Sequence, residues 1–187
     1  PPPPPPPPHF QAEDGKRDCD VCLVGSEMCI RDRYENELNV EAHYQTTGPE
    51  IWNQTEGKVE YFFAAFGTCG TITGVGRYLK ERNPDVKIIG IEPASRGHKL
   101  SGIKKISNLP EEHRPKILDY SLLDDFIAVE DNEAFDAAIR LARTEGLMVG
   151  PTTGALLHAA QLTGAENEGT AVVISPDDAT KYISTYA

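Results

Sequence analysis

Positive charge is scarce in this sequence of 187 residues: 18 lysines and arginines stand against 29 aspartates and glutamates, which gives a net charge of −11. Nonspecific nucleic-acid binding depends on basic patches that displace counterions, so this balance argues against a nucleic-acid partner. The sequence also lacks an apolar run long enough to span a membrane, and its opening prolines cannot form the apolar part of a signal peptide. We therefore expect a soluble, cytoplasmic protein without a membrane partner.

Residues 1–33 lack the pattern of a folded element. Eight prolines form only a stiff, solvated polyproline segment, and a polar, charged stretch follows them. Residues 23–33 read Leu-Val-Gly-Ser-Glu-Met-Cys-Ile-Arg-Asp-Arg, which resembles the translation of a sequencing adapter. We therefore expect two parts: a disordered segment of artefactual, non-native origin at 1–33, and a folded part over 34–187.

Cysteine is rare in the part that we expect to fold. Cys19, Cys22 and Cys29 all lie within residues 1–33, where their spacing would otherwise suggest a metal or redox site. Only Cys69 remains, which excludes a disulfide framework and fits a reducing compartment. The histidines of the folded part are scattered along the sequence, so we expect no metal site.

An apolar stretch at 62–66 runs into a loop of small and hydroxyl-bearing residues, and a helical pattern follows the loop. Small residues let a backbone close round an anion, and the first N–H groups of a helix point at that anion without a partner. The candidate phosphate-binding residues are Gly67, Thr68, Cys69, Gly70 and Thr71. The alternative is a plain strand–turn–helix connection that binds nothing.

Two familiar phosphate loops do not fit this stretch. A nucleoside-triphosphate loop requires a lysine that is absent after both Gly70 and Gly74. A dinucleotide fingerprint requires Gly-x-Gly-x-x-Gly, whereas the glycines here fall at 67, 70, 74 and 76. Glu92 ends the next apolar run, about where a ribose-binding acid would lie, so a nucleotide-binding module remains a minor alternative.

Apolar runs alternate with helical patterns over the folded part, which predicts an α/β fold with a mainly parallel sheet flanked by helices. The predicted strands are 59–65, 86–91, 125–129 and 171–175. The predicted helices are 40–55, 71–82, 132–145, 154–163 and 178–185. In the helix at 132–145 we expect a buried apolar stripe and an end at Gly146; the stripe is Ala134, Phe135, Ala138, Ile139 and Ala142. Residues 95–121 are expected to form an ordered surface excursion.

Four motifs follow one another in the folded part. They are His-Tyr-Gln-Thr-Thr-Gly-Pro-Glu-Ile-Trp at 43–52, the 67–71 loop with the residues behind it, Gly-Leu-Met-Val-Gly-Pro-Thr-Thr-Gly-Ala at 146–155, and Ser-Pro-Asp-Asp-Ala-Thr-Lys-Tyr-Ile-Ser-Thr at 175–185. In this order they resemble the cysteine synthase and cystathionine β-synthase family. That resemblance implies a tryptophan-synthase-β-like fold, the cofactor pyridoxal 5′-phosphate, small amino-acid substrates and a homodimer.

The resemblance also assigns a role to Thr152. The family has Gly-x-Ser-Ser/Ala-Gly where this sequence has Gly-Pro-Thr-Thr-Gly, and the first hydroxyl there hydrogen-bonds the pyridine nitrogen of the cofactor. A neutral hydroxyl leaves that nitrogen largely unprotonated, which suits β-elimination and replacement better than transamination. Read from the residues alone, Thr152 or Thr153 could instead be an ordinary helix N-cap.

Cys69 departs from the family pattern, which has glycine in the middle of its phosphate loop. A Cβ at this position could crowd the phosphate or oppose a backbone conformation that glycine adopts freely. A catalytic thiol, activated by the N–H groups at the start of the helix, is the less favoured alternative.

The family's Schiff-base lysine, in a motif like Asn-Pro-x-x-Ser-x-Lys-Asp-Arg, and its Ser-Gly-Asn loop do not occur in this sequence. The lysines at 58, 80, 87 and 181 stand in other contexts, so we assign no catalytic residue. The resemblance thus implies about the C-terminal half of an enzyme like cysteine synthase, which makes cysteine from O-acetylserine and sulfide. The alternatives are a cystathionine β-synthase-like enzyme, which joins serine and homocysteine, and a noncatalytic fragment.

Overall fold

The computed structural model describes residues 33–166 and 169–182. The described helices are α1 (Glu37–Ala42), α2 (Gly48–Gln54), α3 (Gly70–Arg82), α4 (Asp131–Glu145) and α5 (Pro151–Glu166). The strands are β1 (Val59–Ala65), β2 (Lys87–Pro93), β3 (Asp125–Val129) and β4 (Thr170–Val173). A π-helical turn, His43–Thr47, joins α1 to α2, and short 3₁₀ turns lie at Glu111–His113, Tyr120–Leu122 and Ala179–Tyr182.

The described strands form one parallel sheet in the order β3-β2-β1-β4. Parallel neighbours need crossover connections, and α3 lies between β1 and β2 in the chain, while α4 and α5 lie between β3 and β4. The predicted fold class, a parallel sheet flanked by helices, is therefore confirmed. β1 and β3 have the predicted bounds. β2 begins one residue later and ends two residues later than predicted, and β4 begins one residue earlier and ends two residues earlier.

One face of the sheet packs against α3. Apolar residues recur along α3 at helical spacing, and alternate residues of the strands meet them. Phe66, just after β1, lies over Gly90 of β2: a Cβ at Gly90 would fall 1.9 Å from the ring of Phe66, so no other residue leaves room for it. The members of this buried cluster include Phe62, Ala64, Ile72, Leu79 and Ile88.

The opposite face packs against α4 and α5. α4 starts with a capping box between Glu130 and Glu133 and ends, as predicted, at Gly146, which has a φ of 71°. Of its predicted apolar stripe, Ala134 and Ala138 are buried, whereas Phe135, Ile139 and Ala142 are only partly buried. Ala137, which the predicted stripe did not include, is buried as well, so the buried face of α4 is formed by Ala134, Ala137 and Ala138.

The helix bounds differ from the prediction by more than one residue in three places. The predicted helix 40–55 begins earlier, at Glu37, and widens into the π-helical turn. The predicted helix 154–163 begins at Pro151, since the distant Asp177 accepts hydrogen bonds from its first turn. The predicted helix 178–185 is a 3₁₀ turn over Ala179–Tyr182, and its last three residues lie outside the described residues.

The segment at 95–121 is the ordered surface excursion that we predicted, since apolar side chains anchor it to both faces of the sheet. The Lys104 N–H donates to the Phe66 carbonyl (2.7 Å), which holds residues 101–103 beside the end of β1. In the described part of the chain, no helix combines the length and apolarity needed to cross a bilayer. The same residues contain no group of three or more side chains suited to hold a metal ion.

Candidate functional site

A cleft of about 340 Å³ lies at the carboxyl ends of β1 and β4, where parallel sheets commonly bind ligands. Its walls come from the end of β1, the 67–71 loop, residues 101–103, the first turns of α5 and the chain after β4. Five of the six predicted site residues line it: Gly67, Thr68, Cys69, Thr71 and Thr152. The sixth, Gly70, is the first residue of α3.

The 67–71 loop presents unpaired N–H groups to the cleft. The first backbone bond of α3 runs from the Thr73 N–H to the Cys69 carbonyl (3.1 Å), so the N–H groups between them precede the helical ladder. Within the described residues, those of Thr68 and Thr71 form no hydrogen bond. Unpaired donors at the start of a 13-residue helix favour an anion, because the helix dipole adds its positive end there.

Cys69 has a backbone conformation that glycine adopts freely and other residues rarely. Its φ is 71°, in the left-handed region, where a side chain is unfavourable. The residue is 3% exposed and belongs to the buried cluster between the sheet and α3. Burial raises the pKa of the thiol to about 12, and nearby Lys104 lowers it only in part. A protonated, buried thiol is not a nucleophile, so the catalytic-thiol alternative loses its chemical basis.

We expect Cys69 to resist alkylation in the folded protein at about pH 8, near the ordinary cysteine pKa. Because its folded pKa lies above the ordinary value, the stability that it contributes is complete below that value and is lost as the pH rises toward about 12. Peptide mass spectrometry after iodoacetamide treatment, with and without urea, measures the protection. Equal modification in both samples would refute the buried placement, and Cys69→Gly should remove this part of the pH dependence.

Asn39 of α1 and His43 of the π-helical turn contact the two threonines of the 67–71 loop. Asn39 Nδ2 donates to Thr68 Oγ1 (3.0 Å), and the His43 Nε2 atom lies 3.0 Å from Thr71 Oγ1. α3 can approach His43 this closely only because residue 74 is glycine: a Cβ there would lie 2.8 Å from the Cβ of His43. Sequence reasoning missed both residues; the only signal was that His43 opens one of the four motifs.

Asp177 holds the first turn of α5, which forms another part of the cleft lining. Its carboxylate accepts from the Thr152 N–H (3.0 Å), the Thr153 N–H (2.9 Å) and the Thr153 hydroxyl (2.7 Å). The Thr152 side chain is buried, and its hydroxyl donates to the Ser101 carbonyl (3.0 Å). The N-cap alternative is therefore wrong: α5 begins at Pro151, so Thr152 and Thr153 lie within its first turn, and Asp177 accepts from their N–H groups.

Lys181 and Tyr182 also line the cleft. Burial, the largest cause, raises the pKa of the Tyr182 phenol. Lys181, which we did not name as a site residue, lines the cleft, whereas Lys58, Lys80 and Lys87 do not. An amine is therefore present at the cleft.

Glu92 lies apart from the cleft. It lines a second cavity of about 250 Å³ with Phe66 and Arg114, and no residue lines both cavities. Its buried carboxylate accepts from the N–H (3.0 Å) and hydroxyl (2.6 Å) of Ser107. The 67–71 loop and Glu92 thus line separate cavities, so the geometry does not support the nucleotide-binding alternative.

Comparisons with known proteins agree with this geometry. The profile of a family described as pyridoxal-phosphate dependent enzyme matches residues 16–177. The chain is 41% identical over 157 residues to cysteine synthase B of Pseudomonas aeruginosa, and 39% over 166 residues to cystathionine beta-synthase of Apis mellifera. These alignments cover 83% and 84% of this chain, but 51% and 33% of those proteins.

A solved structure shows the same likeness. O-ureido-L-serine synthase superposes with a TM-score of 0.72 at 32% identity, over 82% of this chain and 51% of that one. The chain thus spans about half the length of the cysteine synthases and of the solved enzyme that it matches.

Proposed function

The chain belongs to the family of pyridoxal-phosphate-dependent enzymes, and from that premise we propose that its cleft binds pyridoxal 5′-phosphate. The phosphate would lie at the 67–71 loop and the pyridine nitrogen would face Thr152. The observation that carries this proposal is that an anion cradle and a buried hydroxyl line one cleft of about 340 Å³. That volume falls within the range of small-molecule sites.

The phosphate end fits the residues present. Unpaired N–H groups and two hydroxyls can donate to phosphate oxygens, and the start of α3 supplies a favourable dipole. Cys69 also lines the cleft, but it is only 3% exposed and belongs to the buried cluster between the sheet and α3. Cysteine in place of the glycine of the family pattern has another cost, which is backbone strain at a positive φ. This strain is roughly 1–2 kcal/mol for a residue with a Cβ.

The ring end fits after one local change. The Thr152 hydroxyl has a single hydrogen, which the Ser101 carbonyl accepts in this structure. To donate to a pyridine nitrogen, the hydroxyl must exchange that partner by rotation about its C–O bond. Ile103, Leu156 and Ile174 line the cleft as apolar surfaces that can cover a ring and exclude water.

We propose that the protein of which these residues form a part catalyses β-replacement on small amino acids, with cysteine formation from O-acetylserine and sulfide as the favoured reaction. When bound, the cofactor supplies an electron sink for the substrate α-carbon. A hydroxyl at Thr152, rather than an acid, keeps that sink weak, which suits replacement. The named relatives also support the alternative, joining serine to homocysteine. Assays of the full-length protein with each acceptor discriminate between the two.

We also propose that residues 34–187 are the natural enzyme part, that the full-length protein is a cytoplasmic homodimer, and that residues 1–33 are not native. The family profile begins at residue 16, upstream of this boundary. Resequencing the locus across the codons of Arg33 and Tyr34 tests the boundary, and an mRNA that carries this junction would contradict it.

We expect Thr68→Val/Thr71→Val to weaken pyridoxal phosphate binding about tenfold or more, because each hydroxyl–phosphate bond involves a charged acceptor. Calorimetric titration of the full chain measures the affinity, and pyridoxal without phosphate should bind both proteins equally. Thr144→Val, at an exposed site on α4, is the matched control. Stabilisation by NAD, with no binding of pyridoxal phosphate, would instead favour a nucleotide-binding function.

A further inference from the structure

His43 lies between two hydroxyls. Its Nδ1 is 2.9 Å from Thr47 Oγ1, and its Nε2 is 3.0 Å from Thr71 Oγ1, which lines the cleft. Burial lowers the pKa of His43, and no charged side chain among the described residues contributes to the shift. The imidazole is therefore neutral near neutral pH, with one N–H donor and one acceptor nitrogen.

Two proton arrangements satisfy these contacts. In the first, the Nδ1–H donates to Thr47 and Nε2 accepts the Thr71 hydroxyl hydrogen. Thr71 then has only lone pairs left for the cleft, and these repel an anion. In the second, the Thr47 hydroxyl donates to Nδ1, and the Nε2–H donates to Thr71 Oγ1. The Thr71 hydrogen is then free to donate into the cleft.

Thr68, the other threonine of the loop, already has an arrangement of the second kind, in which its oxygen accepts a hydrogen bond and its own hydrogen is free. Asn39 Nδ2 donates both to Thr68 Oγ1 and to the Arg33 carbonyl (2.9 Å). A carbonyl can only accept, so the amide nitrogen must face these two partners. Thr68 Oγ1 is thus an acceptor toward Asn39, which leaves its own hydrogen for the cleft.

We propose that His43 is a positioning residue for the phosphate: its Nε2–H donates to Thr71 and so directs the Thr71 hydroxyl hydrogen at an anion held by the 67–71 loop. An anion in the cleft favours this tautomer, because only this tautomer leaves Thr71 a donor. The inference rests on the proposed function, since it assigns His43 a part in binding the phosphate of that cofactor.

A pair of substitutions separates the two nitrogens of His43. Glutamine carries an N–H donor about as far along the side chain as Nε2, whereas asparagine reaches only about as far as Nδ1. We expect His43→Gln to bind pyridoxal phosphate within about threefold of the natural chain, and His43→Asn to bind about tenfold more weakly. Pyridoxal without phosphate should bind all three proteins equally, whereas damage to the fold would weaken both ligands.

Nitrogen NMR of the imidazole tests the tautomer without a substitution. We expect the neutral form with hydrogen on Nε2 in the pyridoxal phosphate complex of the ¹⁵N-histidine-labelled chain. A proton on Nδ1 in that complex, or unchanged affinity in His43→Asn, would overturn the inference while leaving the proposed function intact. A natural chain that binds no pyridoxal phosphate would overturn both.

Discussion

Gly154→Ala is expected to lower the free energy of unfolding by at least about 3 kcal/mol, because overpacking against a backbone atom cannot be relieved by side-chain rotation. Gly154 lies in the first turns of α5, against α4. An added Cβ would fall 2.0 Å from the Ala134 carbonyl oxygen and 3.0 Å from the Ala138 Cβ. The two helices would have to separate, and the apolar cluster beneath them would open.

The same helix offers a matched control. Gly164 is also helical, but an added Cβ there meets nothing within 4 Å. Gly164→Ala should therefore stabilise the chain by up to about 1 kcal/mol through helix propensity. Urea denaturation of both variants measures the difference. Similar effects of the two substitutions would show that α4 and α5 do not pack as closely as described.

Asp177→Ala is expected to cost about 2–4 kcal/mol and to weaken cofactor binding, because it removes the charged acceptor of the first turn of α5. The Thr152 and Thr153 N–H groups would lose their partner in a half-buried site. Thr152, whose hydroxyl we assign to the pyridine nitrogen, would lose the contact that fixes its backbone.

The adjacent acid is the control for this prediction. Asp178 is exposed, and among the described residues its carboxylate accepts only from the nearby Thr180. Asp178→Ala should change both stability and affinity much less than Asp177→Ala. Urea denaturation and calorimetric titration of the two variants provide the comparison. Equal losses would mean that the negative charge of this region, rather than the hydrogen bonds from Asp177 to α5, accounts for the effect.

The sequence could predict those features that depend on neighbouring residues. β1, α3 and α4 show a clear period along the chain, and the 67–71 loop is contiguous, so its residues could be named together. The expectation that a Cβ at Cys69 opposes the local φ also needed only the loop, and the φ of 71° agrees with it. The resemblance added Thr152, which lines the same cleft.

Other features depend on contacts between residues that are far apart in the chain, and a local sequence pattern cannot predict such contacts. Asn39 and His43 lie 29 and 28 residues from the threonines that they contact, and Asp177 lies 24 and 25 residues from its partners in α5. Glu92 shows the opposite error: its position along the chain resembled a ribose-binding acid, but its side chain lies in the cavity beside Phe66.

Hydrogen–deuterium exchange of the amides at 68–71, with and without pyridoxal phosphate, tests the central claim most directly. Amides without a hydrogen-bond partner exchange rapidly in the free protein. If the loop holds the phosphate, saturating pyridoxal phosphate slows exchange at Thr68 and Thr71, whereas pyridoxal does not, and peptides around Glu92 stay unchanged. Unchanged exchange at 68–71, or protection confined to the cavity at Glu92, would contradict the account.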